Sequence, residues 1–266
     1  MSVVLQVSDP HFGTERAPVV EALVAFARAQ RPDLVVLSGD ITQRARPAQF
    51  RAARAFTDRL GAPVLAIPGN HDIPLFDLPA RLLRPHARQR AAFATELEPV
   101  FASGTLLVVG VNTTSRWRHQ DGSVDVRQVE RVAHRLAAAT PGQLRIVVVH
   151  QPAAVQRAQD VPDLLRGHAR ALARWAEAGA DVVMGGHIHL PYVMRIDSPP
   201  RPLWVVQAGT AVSARTRAGV PNSVNLLRWD GADAVVEQWD CPAGGPAFER
   251  RVVTAIVPSR ADRHGR

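Results

Sequence analysis

Five short stretches of the chain place Asp, Asn or His directly after apolar runs: Asp9-Pro10-His11, Gly39-Asp40, Gly69-Asn70-His71-Asp72, His150, and Gly186-His187-Ile188-His189. Carboxylate, amide and imidazole donors with no thiolate among them suit borderline or hard divalent ions such as Mn, Fe, Co or Zn. Taken singly, most of these stretches are ordinary. Gly-Asp is a common turn pair, and a histidine at a strand end is more often a satisfied core residue than a ligand. Two are stronger: His187 and His189 put two imidazoles on one side of an extended segment, and Asn70 with His71 is a poor opening for a plain turn into a helix. All five in this order leave little room for coincidence.

Asp9, His11, Asp40, Asn70, His150, His187 and His189 make seven candidate ligands, too many for one ion. Two ions about 3.5–4 Å apart, bridged by one carboxylate and one hydroxide, would use them all and clamp both oxygens of an in-line displacement. The expected chemistry is hydrolysis of a phosphate ester. Gly39, Gly69 and Gly186 each precede a candidate ligand, where close backbone approach calls for a residue without Cβ.

These residues need elements that bring them together. Val3 to Val7, Leu34 to Ser38 and Val64 to Ile67 read as buried strands, with helices over Pro18 to Gln30 and Pro47 to Leu60 between them. A second series follows: a strand over Leu106 to Val111, a helix opened by Asp125 with Gln128 as a reciprocal cap, a strand over Ile146 to Val149, a helix around Leu164 to Ala178, and a strand over Val182 to Met184. In an open α/β sheet the carboxyl ends of the strands face one crevice, so each ligand stretch is delivered to the same place. Beyond it lie strands alone, at Tyr192 to Ile196, Leu203 to Gln207, Val224 to Trp229 and Ala234 to Trp239, which read as a second, largely antiparallel sheet. Between Asp72 and Phe101 there is no strand signal, only a Pro- and Arg-rich segment of short helices that suits a lid. We expect one domain over 1–257 and a disordered tail over 258–266.

The ordered stretches resemble the motifs of the calcineurin-like metallophosphoesterase superfamily: Asp-X-His, Gly-Asp, Gly-Asn-His-Asp, His, and Gly-His-X-His. The pattern is nearest to the bacterial branch of class III cyclic nucleotide phosphodiesterases and glycerophosphodiesterases. Pro10 replaces the usual aliphatic residue between the first two ligands. The resemblance implies an α/β fold, a four-layer α/β/β/α sandwich of two mixed sheets flanked by helices, with a small helical insertion. It implies that Asp9, His11 and His189 hold one metal, that Asn70, His150 and His187 hold the other, and that Asp40 bridges them. His71 would contact the phosphate or protonate the leaving oxygen, with Asp72 orienting its ring.

Candidate substrate contacts are Asn112 and Thr113, after a strand near the same crevice, and Arg215 and Arg217, whose guanidinium groups can grip phosphate bidentately. Arg81, Arg84, Arg88 and Arg90 in the insertion could meet an anionic substrate, although a solvated helix face is the safer reading. His86, His119 and His168 have no motif around them and read as surface or helix residues. The expected activity is therefore a dinuclear phosphodiesterase acting on cyclic or small nucleotides or related diesters. The alternative is a pyrophosphatase of a nucleotide-linked lipid precursor, which would suit the partly apolar insertion around Leu75, Phe76, Leu78, Leu82 and Leu83. A scaffold that has lost its ligands is disfavoured because all seven are present, and a nuclease because there is no basic platform rich in aromatic residues.

Composition narrows the partners. The chain of 266 residues has a net charge of +8, carried by 32 basic residues that are all Arg. They are scattered with no run longer than two, which reads as a generally basic surface and gives no reason to expect a stable nucleic-acid partner. A single cysteine, Cys241, excludes an internal disulfide and points to a reducing, cytoplasmic setting. The first apolar stretch is too short for a signal peptide or a membrane span. This leaves room for peripheral lipid contact and for a homo-oligomer.

Overall fold

The computed structural model describes residues 1–93, 96–197, 201–243 and 245–258. In chain order the elements are β1 (Ser2–Val7), α1 (Ala17–Gln30), β2 (Leu34–Ser38), α2 (Pro47–Asp58), β3 (Val64–Ile67), a 3-10 turn at Asn70–Asp72, α3 (Leu78–Leu83), α4 (Ala87–Phe93), β4 (Val100–Ala102), β5 (Leu106–Gly110), α5 (Val126–Ala137), β6 (Leu144–Val148), a 3-10 segment at Ala158–Asp163, α6 (His168–Glu177), β7 (Val182–Gly185), β8 (Tyr192–Ile196), β9 (Leu203–Gln207), β10 (Asn222–Trp229), β11 (Ala234–Cys241) and β12 (Glu249–Ile256). The expected tail lies, beyond Pro258, outside the described residues.

Two six-stranded mixed sheets form, in the orders β12-β11-β10-β1-β2-β3 and β4-β5-β6-β7-β9-β8. Successive side chains of a strand point to opposite faces, and the buried clusters sort accordingly. Val3, Leu5, Val7, Val35 and Leu37 pack beneath α1 and α2 with Leu23, Phe50 and Phe56. Their neighbours Val4, Leu34 and Val36 turn the other way and meet Leu106, Val108, Ile146, Val148 and Met184 of the second sheet. Leu107, Val109, Val147 and Val183 in turn pack against Val132 and Leu136 of α5 and Trp175 of α6. The result is the four-layer α/β/β/α sandwich. Each fully buried aliphatic side chain contributes about 1.5–3 kcal/mol.

Polar side chains also tie the two sheets together. Gln6 Nε2 of β1 donates to Gly185 O of β7 at 2.9 Å, and Asn225 Nδ2 of β10 donates to Gln207 O of β9 at 3.1 Å. The reciprocal cap of α5 is present: Gln128 N–H reaches Asp125 Oδ1 at 2.8 Å, while Asp125 N–H reaches Gln128 Oε1 at 3.2 Å.

The late strands correct one expectation. They do not form a sheet of their own: β10, β11 and β12 extend the first sheet through an antiparallel pairing of β10 with β1, whereas β9 joins the second sheet parallel to β7 and carries β8 antiparallel at the edge. Alternation marks a residue run as a strand but does not reveal which distant edge it will join. β4 and β12 carried no recognised strand signal, and the helix expected from Leu164 begins instead at His168.

Candidate metal centre

The candidate ligands gather where the carboxyl ends of β1, β2 and β3 from one sheet meet those of β6 and β7 from the other. The connecting backbone is strained. Among the described residues seven non-glycine residues have positive φ, and five of them are Asp9 (50°), His11 (43°), Asp40 (48°), His187 (75°) and His189 (55°). Left-handed conformations cost non-glycine residues of order 1–3 kcal/mol each and persist where surrounding structure holds them, commonly at functional sites. The glycines allow the approach: a Cβ on Gly39 (φ 95°) would sit 2.4 Å from His150 Nδ1, and one on Gly69 would sit 2.1 Å from Asp40 N.

Three overlapping groups bring donor atoms within 4.8 Å of one another: Asp9, His11 and His189; Asp40, His150 and His187; and His11, Asp40 and His71. Asp40 links them. Its Oδ1 lies 3.3 Å from His150 Nε2, and its Oδ2 lies 3.7 Å from His11 Nε2. Asn70 Oδ1 lies 3.2 Å from the same His150 nitrogen. On the other side, His11 Nε2 and His189 Nε2 are 3.2 Å apart, and His189 Nε2 is 3.3 Å from Asp9 Oδ1. Asp9 Oδ1 and His11 Nδ1 are buried without a hydrogen-bond partner among the described residues. An unpaired buried carboxylate oxygen is costly, and a cation coordinated there would offset that cost. The donor set therefore fits divalent metal ions.

Supporting contacts fix the orientation of these donors. Ser8 Oγ and the His187 N–H both donate to Asp9 Oδ2, at 2.6 Å and 3.0 Å. His150 donates Nδ1–H to Ser38 O at 2.9 Å, leaving Nε2 as the nitrogen that faces the cluster. Burial lowers His11 and, helped by the charge on His150, His187, each to about 4, so both are neutral at pH 7. Burial also acts to lower His150, but the Asp40 charge and hydrogen bond overcome it and lift that group to about 9. Burial opposes ionisation of Asp9 and Asp40, yet the neighbouring histidines hold both below the usual carboxylate range.

His71 is turned toward the same cluster, its ring edge-on to His11 at 4.9 Å between centroids, its backbone N–H donating to Asp40 Oδ1 at 2.8 Å and its ring Nδ1 on Gln43 O at 2.9 Å. Asp72 does not orient that ring. Its carboxylate accepts from Ile41 N, Thr42 N, Thr42 Oγ1 and Gly69 N at 2.8–3.0 Å, binding the loop after β2 to the loop after β3. Burial, followed by the Asp40 charge, pushes Asp72 up to about 7 against the pull of those backbone donors. The Gln43 carbonyl holds His71 instead, and a backbone carbonyl has no residue type by which a sequence could announce it.

A cavity of about 460 Å³ opens over the cluster, lined by residues that include Asn70, His71, His187, His189, Arg215 and Arg217. Arg217 bonds Asp160 Oδ1 at 2.8 Å. Asn112 and Thr113 are not among the lining residues. Thr113 Oγ1 donates to Gln151 Oε1 at 2.6 Å, and Asn112 Oδ1 accepts from Thr114 Oγ1 at 2.7 Å. Arg81 and Arg88 are occupied in holding the insertion: Arg81 bonds the carbonyls of Pro74 and Arg118, and Arg88 bonds Ala45 O and pairs with Asp77. His119, read as a surface or helix residue, lies beside His71 with 5.9 Å between ring centroids. Gln120, Gln159, Asp160 and Asp163 also line the cavity without any motif to mark them.

The profile of the calcineurin-like phosphoesterase family matches residues 2–191, which include all seven candidate ligands. A cAMP/cGMP dual specificity phosphodiesterase of Mycobacterium tuberculosis is 28% identical over 60% of this chain and 49% of its own. A glycerophosphodiester phosphodiesterase of Enterobacter lignolyticus is 38% identical over 25% of this chain and 28% of its own. The chain thus matches about half or less of the length of these relatives. The fold is similar to that of a dimetal phosphatase from Danio rerio, with a TM-score of 0.69 and 14% identity over 97% of this chain and 99% of that one.

Proposed function

The chain belongs to the calcineurin-like phosphoesterase family, and from that premise we propose that it is a dinuclear hydrolase of small phosphodiesters, such as cyclic nucleotides or glycerophosphodiesters. The observation that carries the reading is the split carboxylate of Asp40, with one oxygen toward the His150 group and the other toward the His11 group. Asp9, His11 and His189 would hold one ion, Asn70, His150 and His187 the other, and Asp40 both. Bound in this way, two divalent cations such as Mn, Fe, Zn or Co supply Lewis acidity and a nucleophile at neutral pH.

The chain's own groups do the rest. Asn70 and the histidines fix the donor positions, and Ser8 and Ser38 fix the donors. His71, anchored by Gln43 O, lines the cavity, where it contacts the phosphate or gives a proton to the departing oxygen. Asp72 keeps the two loops in register. Arg215 serves as a phosphate contact, and 72–101 restricts access as a lid within one catalytic domain over 1–257. The diesterase relatives support a diester substrate over a lipid-linked pyrophosphate.

Replacing Asp40 with Asn keeps its shape and removes the charge that offsets two cations. Asp40→Asn should lose at least one bound ion per chain and roughly 10²-fold or more in turnover of an aryl diester, read by elemental analysis alongside kinetics. Full occupancy with normal turnover would remove Asp40 from the bridging role.

A further inference from the structure

The wall of the cavity facing the candidate ligands is unusual for a site that takes an anion. The 3-10 segment Ala158–Asp163 brings Asp160 and Asp163 into the lining. Asp160 is buried, with Oδ1 on Arg217 and Oδ2 without a hydrogen-bond partner among the described residues. Arg217 also donates to Ile188 O, so its charge is matched by Asp160 before any substrate arrives. The side chain of Asp163 is 44% exposed, and its Oδ1 lies 3.9 Å from Nε2 of His187. Of the two lining arginines only Arg215 has no carboxylate partner among the described residues, so the wall holds two carboxylates against two guanidinium groups, one pair of which is already neutralised.

We propose that Asp163 selects the substrate class: it accepts a hydrogen bond from a hydroxyl on the ester alcohol of a singly charged phosphodiester and repels the second charge of a phosphomonoester. This rests on the phosphodiesterase reading and deepens it. A diester carries one negative charge and has a second alcohol to place in the cavity, whereas a monoester at neutral pH brings close to two charges and no second alcohol. An extra unit charge about 7 Å away, at an effective dielectric between that of a protein surface and water, changes relative binding by roughly 3- to 50-fold. Asp163 touches His187 but is outside the candidate ligand groups, so its charge can be removed without removing a ligand.

The test uses the full, metal-loaded chain as wild type, Asp163→Asn and Asp163→Ala. The first measurement is the calorimetric affinity for inorganic phosphate against diethyl phosphate. The second is kcat/KM for 4-nitrophenyl phosphate against bis(4-nitrophenyl) phosphate, and the third is the calorimetric affinity for 2-hydroxyethyl ethyl phosphate against diethyl phosphate, in which ethoxide is too poor a leaving group for the free hydroxyl to displace. Both variants should bind inorganic phosphate about 3- to 50-fold more tightly relative to diethyl phosphate, and the monoester-to-diester ratio should rise by the same factor. The preference for the hydroxyethyl ester should be lost in Asp163→Ala. Unchanged ratios at equal metal content would overturn the proposal. So would changes that track a loss of bound metal, because Asp163 would then act through His187. If the loaded wild type turned over no ester, the proposed activity would fall, and the phosphate-binding measurement would still decide the role of Asp163.

Discussion

A neutral imidazole offers a lone pair through one nitrogen only, so the partner of the other nitrogen decides which one can face a cation. Ser38 O takes that part for His150 and Gln43 O for His71. Two predictions belong at this scale. In the metal-free protein His150 is raised to about 9, above its ordinary value. Its charged form therefore contributes stability that is fully present below about pH 6.5 and is lost as pH rises through about 9. Metal binding must displace that proton, whereas His11 and His187 have none to lose at pH 7. Calorimetry in buffers of different ionisation enthalpy should therefore show about one to two protons released on metal uptake at pH 7.5, with affinity rising toward pH 9. Uptake without proton release would contradict the assignment of His150. The second prediction concerns His71. If it protonates the leaving oxygen, His71→Ala should lose about 10²–10⁴-fold on an alkyl diester and clearly less on an activated aryl diester. Equal losses on the two, at equal metal content, would leave it as an electrostatic contact to the phosphate. The candidate ligands and their order stood out in the sequence because metal chemistry restricts residue type. The carbonyls of Ser38 and Gln43 were not, and Asp163 was not, because a carboxylate in a loop carries no signature of what it faces.

Elements position these side chains, and here the reading from sequence was uneven. The five strands whose ends carry the candidate ligands were recognisable because each is a short buried run that stops at a polar residue, and Asp125 with Gln128 marked the start of α5 by a reciprocal cap. Pairing was not recognisable: the register of β10 against β1, Leu5 to Leu226 and Gln6 to Asn225, joins residues more than two hundred positions apart. The insertion was read as short helices over the surface, and α3 and α4 lie there. Its arginines divide into Arg81 and Arg88, which hold it in place, and Arg84 and Arg90, which are exposed. Phe76, Leu78 and Leu83 are exposed along it, and Trp117 is exposed on the loop that Arg81 and Arg116 tie to α3. If this segment limits access to the cavity, replacing 76–92 with a short Gly/Ser linker should change kcat/KM among diesters of different bulk by about 10-fold or more, while a small activated ester changes far less. Unchanged selectivity in a variant with native circular dichroism and metal content would reduce the segment to surface structure.

At the scale of the whole molecule, the site exists because two sheets, each with one face under helices, turn their other faces together and bring five strand ends to one rim. The Gln6 and Asn225 contacts between the sheets run close to that rim, at Gly185 and Gln207, so the packing that builds the core also sets the distance between the ligand groups. No helix among the described residues is long and apolar enough to cross a membrane. The net charge of +8 favours encounter with anionic substrates at low salt and should matter less as ionic strength rises. The proposed centre holds two cations, and the most direct measurement is turnover of an aryl diester by the demetallated chain titrated with Mn, with bound metal determined on the same samples. Activity should be nearly absent below one ion per chain, rise with the second, and level off at about two. Full turnover in protein holding less than about a tenth of an ion per chain would contradict the account.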